Sequence, residues 1–382
     1  MQLRSVQALR AFAAIAVLMC HLYAIESVQS GGPGVMTDVW VNGASGVDFF
    51  FVISGFIMVW VAGETDQTPR SAARFLFARV TRIYSLWWLF AGLMATYFLV
   101  AYGQPWDTAR VEIADTTGVW HLLKSALLIP QPVHPVLGVG WTLIHEMYFY
   151  IAFSVLILLC PARFRLIGIL VWGAAVIAGA LFTTPVGHAG TLLELAVFPM
   201  TLEFLLGALI AYAIRAGARA LALPALALGF IAYVVIFIDF SFTHGEGLLA
   251  RFGWDLPATF ALGWGRTILF GLPAGAILYG LVSLELQHGL KRIIPDFAVR
   301  LGDWSYALYL SHILVISAVG RVFFPTFGND SLIDNWIFLT TAALAAIVAS
   351  GLTYHLFEQP LMRRFATWRS SLFPQKAHIA RV

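Results

Sequence analysis

The chain has 382 residues, of which 60% are hydrophobic and only 11% charged, and its mean hydropathy is +0.83. Soluble domains carry about a quarter charged residues, so a soluble globular reading is excluded and a lipid bilayer is the expected surroundings. The formal net charge of +3 says little by itself, no nucleic-acid partner is expected, and the distribution of the charges says more.

Windows long and apolar enough to cross a bilayer begin near Val6, Gly46, Ile83, Leu143, Leu166, Leu192, Ala220, Arg266, Trp304 and Trp336. The fold class expected is all-α, a polytopic membrane protein of about ten transmembrane helices. With a cytoplasmic N-terminus, the inner loops and ends hold most of the 23 basic residues, among them Arg70, Arg74, Arg163, Arg215, Lys291, Arg292, Arg363 and Arg364. That bias fits the positive-inside rule with both termini cytoplasmic. The first span has a basic start, but no small-residue cleavage site follows promptly, so it is expected to stay as a permanent helix. The longest loop, Gly103 to Trp141, contains the apolar stretch "VWHLLKSALLI" (Val119 to Ile129), too short to cross, which reads as an interfacial or re-entrant element on the outer face. Cys20 and Cys160 lie inside apolar segments and suggest neither a disulfide framework nor a metal site. His121, His134, His188 and His244 fall in outer loops without ligand spacing, and no metal is expected.

The first span, "LRAFAAIAVLMCH", carries Arg10 near its start and His21 at its end. Eleven positions on a helix amount to three turns plus roughly 20°, so the two share one face about 16 Å apart along the axis. Arg10 alone reads as a topology determinant that snorkels to the surface. A transmembrane His more often faces a cavity or a partner. The second span opens "GVDFFFVISGFIM", with Asp48 at its outer end, and the fourth opens "WTLIHEMYFY", with His145 and Glu146 at its outer end. At the inner end of the third, "RFLFARVTRIYSLWW" places Arg74, Arg79 and Arg82 at about the depth of Arg10. Charge statistics alone would make these arginines a positive-inside signal. Together with the outer carboxylates and His21 they describe a basic inner mouth and an acidic-histidine outer site joined by one helix face. A membrane enzyme that binds a phosphate-rich donor from the cytoplasm and works on an acceptor at the outer surface needs such an arrangement. Of the remaining buried polar residues, His312 could face the cavity or simply pack. Glu203 reads as structurally paired, and Glu358 as a stabilising contact with the Arg-rich ends.

The ordered motifs "LRAFAAIAVLMCH", "GVDFFFVISGFIM", "RFLFARVTRIYSLWW", "WTLIHEMYFYIAF", "LEFLLGALI", "LGDWSYALYLSH" and "FEQPLMRRF" resemble the acyltransferase family 3 of integral membrane proteins, in particular its exopolysaccharide O-acetyltransferase type. The spacing of Arg10 and His21 is the most diagnostic element, and Ser85 departs from the family, which often has proline there. The resemblance covers Leu3 to Phe365 and implies a transmembrane acyltransferase domain over 1–365, followed by a basic cytoplasmic tail over 366–382. It implies transfer of an acyl group, commonly acetyl from acetyl-CoA, to a hydroxyl of an extracytoplasmic or lipid-linked carbohydrate such as exopolysaccharide, in the bacterial cytoplasmic membrane.

Acyl transfer of that kind needs a base for the acceptor hydroxyl, and His21 suits because imidazole titrates near working pH. Its other nitrogen needs an orienting acceptor, for which Glu146 and Asp48 are both candidates. The phosphates of CoA suit Arg10, Arg79 and Arg82, with the pantetheine arm running along the face from Arg10 to His21. Gly55 would sit beside that channel as a site of close approach, or serve ordinary small-residue packing. A transporter or flippase for a carbohydrate or lipid-linked substrate is the competing class, its buried charges lining a translocation path. The absence of a hydropathy repeat or of paired broken helices weighs against it.

Overall fold

The computed structural model describes residues 3–182, 189–239, 261–289, 293–328 and 331–374. His188, His244, Lys291, Arg292, Lys376 and Arg381 lie outside the described residues, among which there is no strand. Ten segments of the described residues are long and apolar enough to cross a membrane. They are built from α1 (Arg4–Gln29), α2 (Gly46–Ala62, entered through a 3-10 segment from Asp38), α3 (Pro69–Tyr102) and α6 (Trp141–Leu159). Next come α7 (Arg165–Phe182), α8 with α9 (Leu192–Ala196 and Thr201–Arg215), α10 (Ala222–Asp239) and α11 (Leu272–His288). The last two are α12 (Asp296–Phe327) and α13 (Leu332–Thr353), which passes through a wide turn at Tyr354–Glu358 into α14 (Gln359–Leu372). Helix α14 continues past residue 365 without a break.

Two helices begin well before their apolar windows. The third starts at Pro69, not near Ile83, because Thr68 caps it by accepting from the Ser71 amide and Pro69 occupies its first turn. Its early turns carry Arg70, Arg74, Arg79 and Arg82, which a hydropathy window excludes although the helix does not stop for them. The ninth span likewise starts at Asp296, ahead of Trp304.

Helix α1 is the axis of the assembly, packing along α12 and against α2. Its N-terminal amides are satisfied across the fold by Glu285 of α11, whose two oxygens accept from Arg4 N and Ser5 N, both at 2.8 Å. At the other end Glu26 accepts from Val35 N (2.7 Å) and Met36 N (3.0 Å), folding the following loop back onto the helix. Both ends of α1 are thereby fixed, and with them the depth of its polar residues. Gly302 lets α12 approach the α1 backbone so closely that an added Cβ would collide with Gln7. This contact brings the α12 side chains up to α1.

Between α3 and α6 lie α4 (Thr108–Ile113) and α5 (Gly118–Leu127). The carbonyls at the end of α5 accept from Tyr84 OH (to Leu127, 2.7 Å), Trp87 Nε1 (to Ser125, 3.0 Å) and Trp88 Nε1 (to Ala126, 2.9 Å). Helix α5 thus reaches the middle of α3.

Candidate functional site

A cavity of about 210 Å³ opens among α1, α2, α3, α6 and α12. Arg10 of α1 and Arg79 and Arg82 of α3 line it. Arg79 and Arg82, three positions apart, share one face of their helix. The Arg79 guanidinium lies 5.5 Å from the Phe75 ring and 5.6 Å from the Tyr150 ring, and that of Arg82 lies 5.9 Å from Tyr306. Aromatic faces attract guanidinium groups but do not saturate their donors. Arg79 Nε is buried with no hydrogen-bond partner among the described residues, and Arg10 donates to Gln7 at 3.2 Å. None of the three forms a salt bridge among the described residues, although Glu358 and Glu146 lie within Coulombic range. A half-buried cation without a salt bridge still gains from an anion, and three of them facing one space suit the binding of anionic groups.

Glu146 faces the same cavity from α6. It accepts from Ser54 Oγ at 2.9 Å and from the Tyr150 hydroxyl, one turn along its own helix. Tyr306 and Tyr309 of α12 close the wall. The Tyr306 hydroxyl donates to the Ile83 carbonyl at 2.5 Å, while that of Tyr309 pairs with Thr142 Oγ1 at 2.7 Å and donates to the Val139 carbonyl at 3.0 Å. Phe50 packs edge-on against Tyr309 at 5.8 Å.

His21 is not among the residues lining this cavity. It is half-buried on α1, where its ring lies 4.9 Å from that of His312, which is fully buried and 6.0 Å from the Tyr309 ring. Tyr309 therefore stands between the arginine cavity and the histidine pair.

Two of the expected site residues have partners outside the cavity and the histidine pair. Asp48 is hydrogen-bonded to Arg266 and not to His21, with Nε 3.1 and 3.0 Å from its two oxygens and Nη2 at 2.8 Å, and Glu203 lies within Coulombic range of both. A buried carboxylate takes the nearest guanidinium because its desolvation is otherwise uncompensated. Gly55 does not line the cavity. It is where α2 meets α9 backbone to backbone, since an added Cβ would fall on the Phe204 carbonyl and one at Gly207 on that of Val52. Glu146 sits with the arginines and not beside His21, so neither expected carboxylate touches that ring. His145 packs among Trp141, Phe51 and Phe198.

Ser54, Tyr150, Tyr306, Tyr309 and Arg266 carry polar contacts that no expectation named. The four-residue step from Glu146 to Tyr150 was a readable helical neighbour, whereas nothing local in the sequence marked Arg266 as the partner of Asp48. Among the described residues, no three His, Cys, Asp or Glu side chains are gathered as a metal site.

The acyltransferase-domain family profile matches residues 3–355. The chain belongs to the acyltransferase 3 family. It is similar to the exopolysaccharide production protein ExoZ of Rhizobium meliloti (strain 1021), 29% identical over 84% of this chain and 90% of that protein. It is also similar to the acyltransferase MdmB of Streptomyces mycarofaciens, 27% identical over 95% of this chain and 92% of that one. A putative O-acetyltransferase of Staphylococcus aureus (strain MRSA252) is 23% identical over 96% of this chain and 59% of its own length. No solved structure matches the chain significantly. Family membership favours the enzyme class: this acyltransferase 3 protein is a multi-pass membrane enzyme of acyl transfer.

Proposed function

We propose that the protein transfers an acetyl group from acetyl-CoA to a hydroxyl of an extracytoplasmic or lipid-linked carbohydrate, such as an exopolysaccharide, in the bacterial cytoplasmic membrane. The observation that carries the donor is the set of three guanidinium groups, Arg10, Arg79 and Arg82, that line one cavity and form no salt bridge among the described residues. The phosphates of CoA supply the missing anions, and guanidinium forks bind phosphate bidentately. Glu146, fixed by Ser54 and Tyr150, faces the pantetheine arm, whose amide N–H groups are donors. The acceptor class follows the relatives named for exopolysaccharide production and O-acetyl transfer.

In this reading the arm extends past Tyr309 and presents the thioester to His21. Nε2 of His21 takes the proton of the acceptor hydroxyl, and the hydroxyl oxygen bonds to the acetyl carbon. The carbon–sulfur bond then breaks, and the proton passes from His21 to the departing sulfur. The products are the O-acetyl ester and CoA with a free thiol. His21→Ala should leave a folded protein that binds acetyl-CoA but whose transfer falls by about 10² to 10⁴-fold, read as thiol release and as loss of acetyl groups from surface polysaccharide. Arg82→Gln should weaken acetyl-CoA binding by about ten- to a hundredfold, the equivalent of one charge-assisted contact, with Lys restoring only part of it. Unchanged calorimetric affinity in the Gln variant would reduce the cluster to a topology signal.

A further inference from the structure

Nε2 of His312 lies 3.2 Å from Nδ1 of His21. Each ring also turns its Nδ1 toward the carbonyl one turn back on its own helix, His21 toward Val17 and His312 toward Leu308, both at 3.0 Å. A carbonyl oxygen only accepts, so each Nδ1 carries the hydrogen. A neutral His312 with its hydrogen on Nδ1 has a bare Nε2, which only accepts, and that atom faces His21. The Nδ1 hydrogen of His21 is therefore shared between the Val17 carbonyl and His312, and the lone pair of His21 is left on Nε2. Among the described residues that nitrogen has no hydrogen-bond partner.

We infer that His312 is the positioning residue for His21, fixing the tautomer in which Nε2 is the basic atom and steadying the imidazolium that forms during transfer. The inference rests on the reading of His21 as the base. It fills the place that a carboxylate holds in many base-orienting pairs, and the setting explains the substitution. A carboxylate at this depth needs its own cation, as Asp48 needs Arg266, whereas an imidazole offers an acceptor with no charge to desolvate. Here His312 is 1% exposed and packed by Tyr309. When the acceptor's proton arrives at His21 Nε2, the Nδ1–H that becomes cationic already points at His312 Nε2. His312 gains and loses no covalent bond in the step, and the proton leaves on the sulfur of CoA.

The test compares two amides. In His312→Gln the side-chain oxygen reaches about as far as the imidazole Nε2 and can accept from His21, while in His312→Asn it is one methylene short. Thiol release from acetyl-CoA is followed in inverted vesicles of the host strain, which carry their own acceptor, with the variant as the sole copy. The expected result is a kcat at least tenfold lower for Asn but above that of His21→Ala, a KM for acetyl-CoA within twofold of wild type, and recovery of most of the loss in Gln. Equal kcat in Asn and wild type overturns the assignment. So does an equal loss in Asn and Gln, or a loss carried by KM, since either marks a packing role. If Asn does not fold, His312→Leu against Gln makes the same comparison. Full turnover in His21→Ala would instead bring down the base reading itself, whatever the His312 variants do.

Discussion

Asp48 and Arg266 stand 218 positions apart in the chain and meet through three hydrogen bonds with almost no exposure to solvent. Glu203 beside them makes the cluster two carboxylates to one guanidinium. Removing the cation therefore does more harm than removing one acid. Arg266→Met should lower unfolding stability by about 3 to 5 kcal/mol, the scale of breaking a buried pair, and adding Asp48→Asn should return part of it. Denaturant unfolding in detergent checks this, and a single variant as stable as wild type would contradict it. Asp48 was legible in the sequence as an acid at the outer end of an apolar run. Its partner was not, because Arg266 opens a span apolar enough to read as plain hydrophobic helix and no local pattern encodes a contact fixed by how α2 and the turns before α11 pack. The same holds for His21 and His312, 291 positions apart, where each histidine was visible and their meeting was not. The arginines were legible as a group because Arg79 and Arg82 lie on one helix, and Arg10 joins them only through the packing of α1.

At the scale of elements, hydropathy located all ten spans, since a helix that faces lipid declares itself by composition alone. It misplaced the start of α3, because a window counts arginines against a span while the backbone, capped by Thr68, does not. Helix α5 shows what composition leaves open. Its apolar stretch fitted both a surface-lying and a dipping helix, and what composition could not show is its docking on α3 through the hydrogen bonds from Tyr84, Trp87 and Trp88. Within α5 the fully buried His121 pairs through Nδ1 with Gln131 Oε1 at 3.1 Å, and Gln131 in turn donates to Ser125 Oγ at 3.1 Å. Burial pushes the His121 pKa below the ordinary value of 6.5. Its folded-state pKa is lower than its unfolded one, so the unfolded chain binds more protons in the interval between them and stability there rises with pH. The contribution is complete above 6.5 and is lost as pH falls below it. Wild type should therefore lose melting temperature between pH 7 and pH 5.5 by more than His121→Asn does. Parallel pH dependences in the two proteins would show that this network does not titrate with folding.

For the whole molecule, the arrangement has a direction. In the proposed topology the ten spans found among the described residues leave both ends of the chain on one side of the membrane, and the positive-inside rule assigns that side to the cytoplasm. Arg10 lies near the start of α1 and His21 about 16 Å further along it, with the arginine cavity at the near end and the histidine pair beyond Tyr309. In the proposed reading a donor entering at the arginines comes from the cytoplasmic face, and an acceptor meeting its thioester at His21 approaches from the other. Sealed vesicles should then transfer acetyl only when acetyl-CoA is supplied on the side that carries the C-terminal end. Arg369, Lys376 and Arg381 make that side readable, since trypsin added outside cuts there only in inverted vesicles. Inverted vesicles loaded with acceptor should release thiol from external acetyl-CoA, and right-side-out vesicles with external acceptor should do so only when acetyl-CoA is inside. Arg82→Gln should weaken both reactions without changing their sidedness, because it alters the donor's hold and not its route. Transfer that requires both substrates on the trypsin-sensitive side would refute the through-membrane path and move the chemistry to the inner surface. A continued dependence on His21 would then mean that the acceptor, and not the acetyl group, travels to it through the protein.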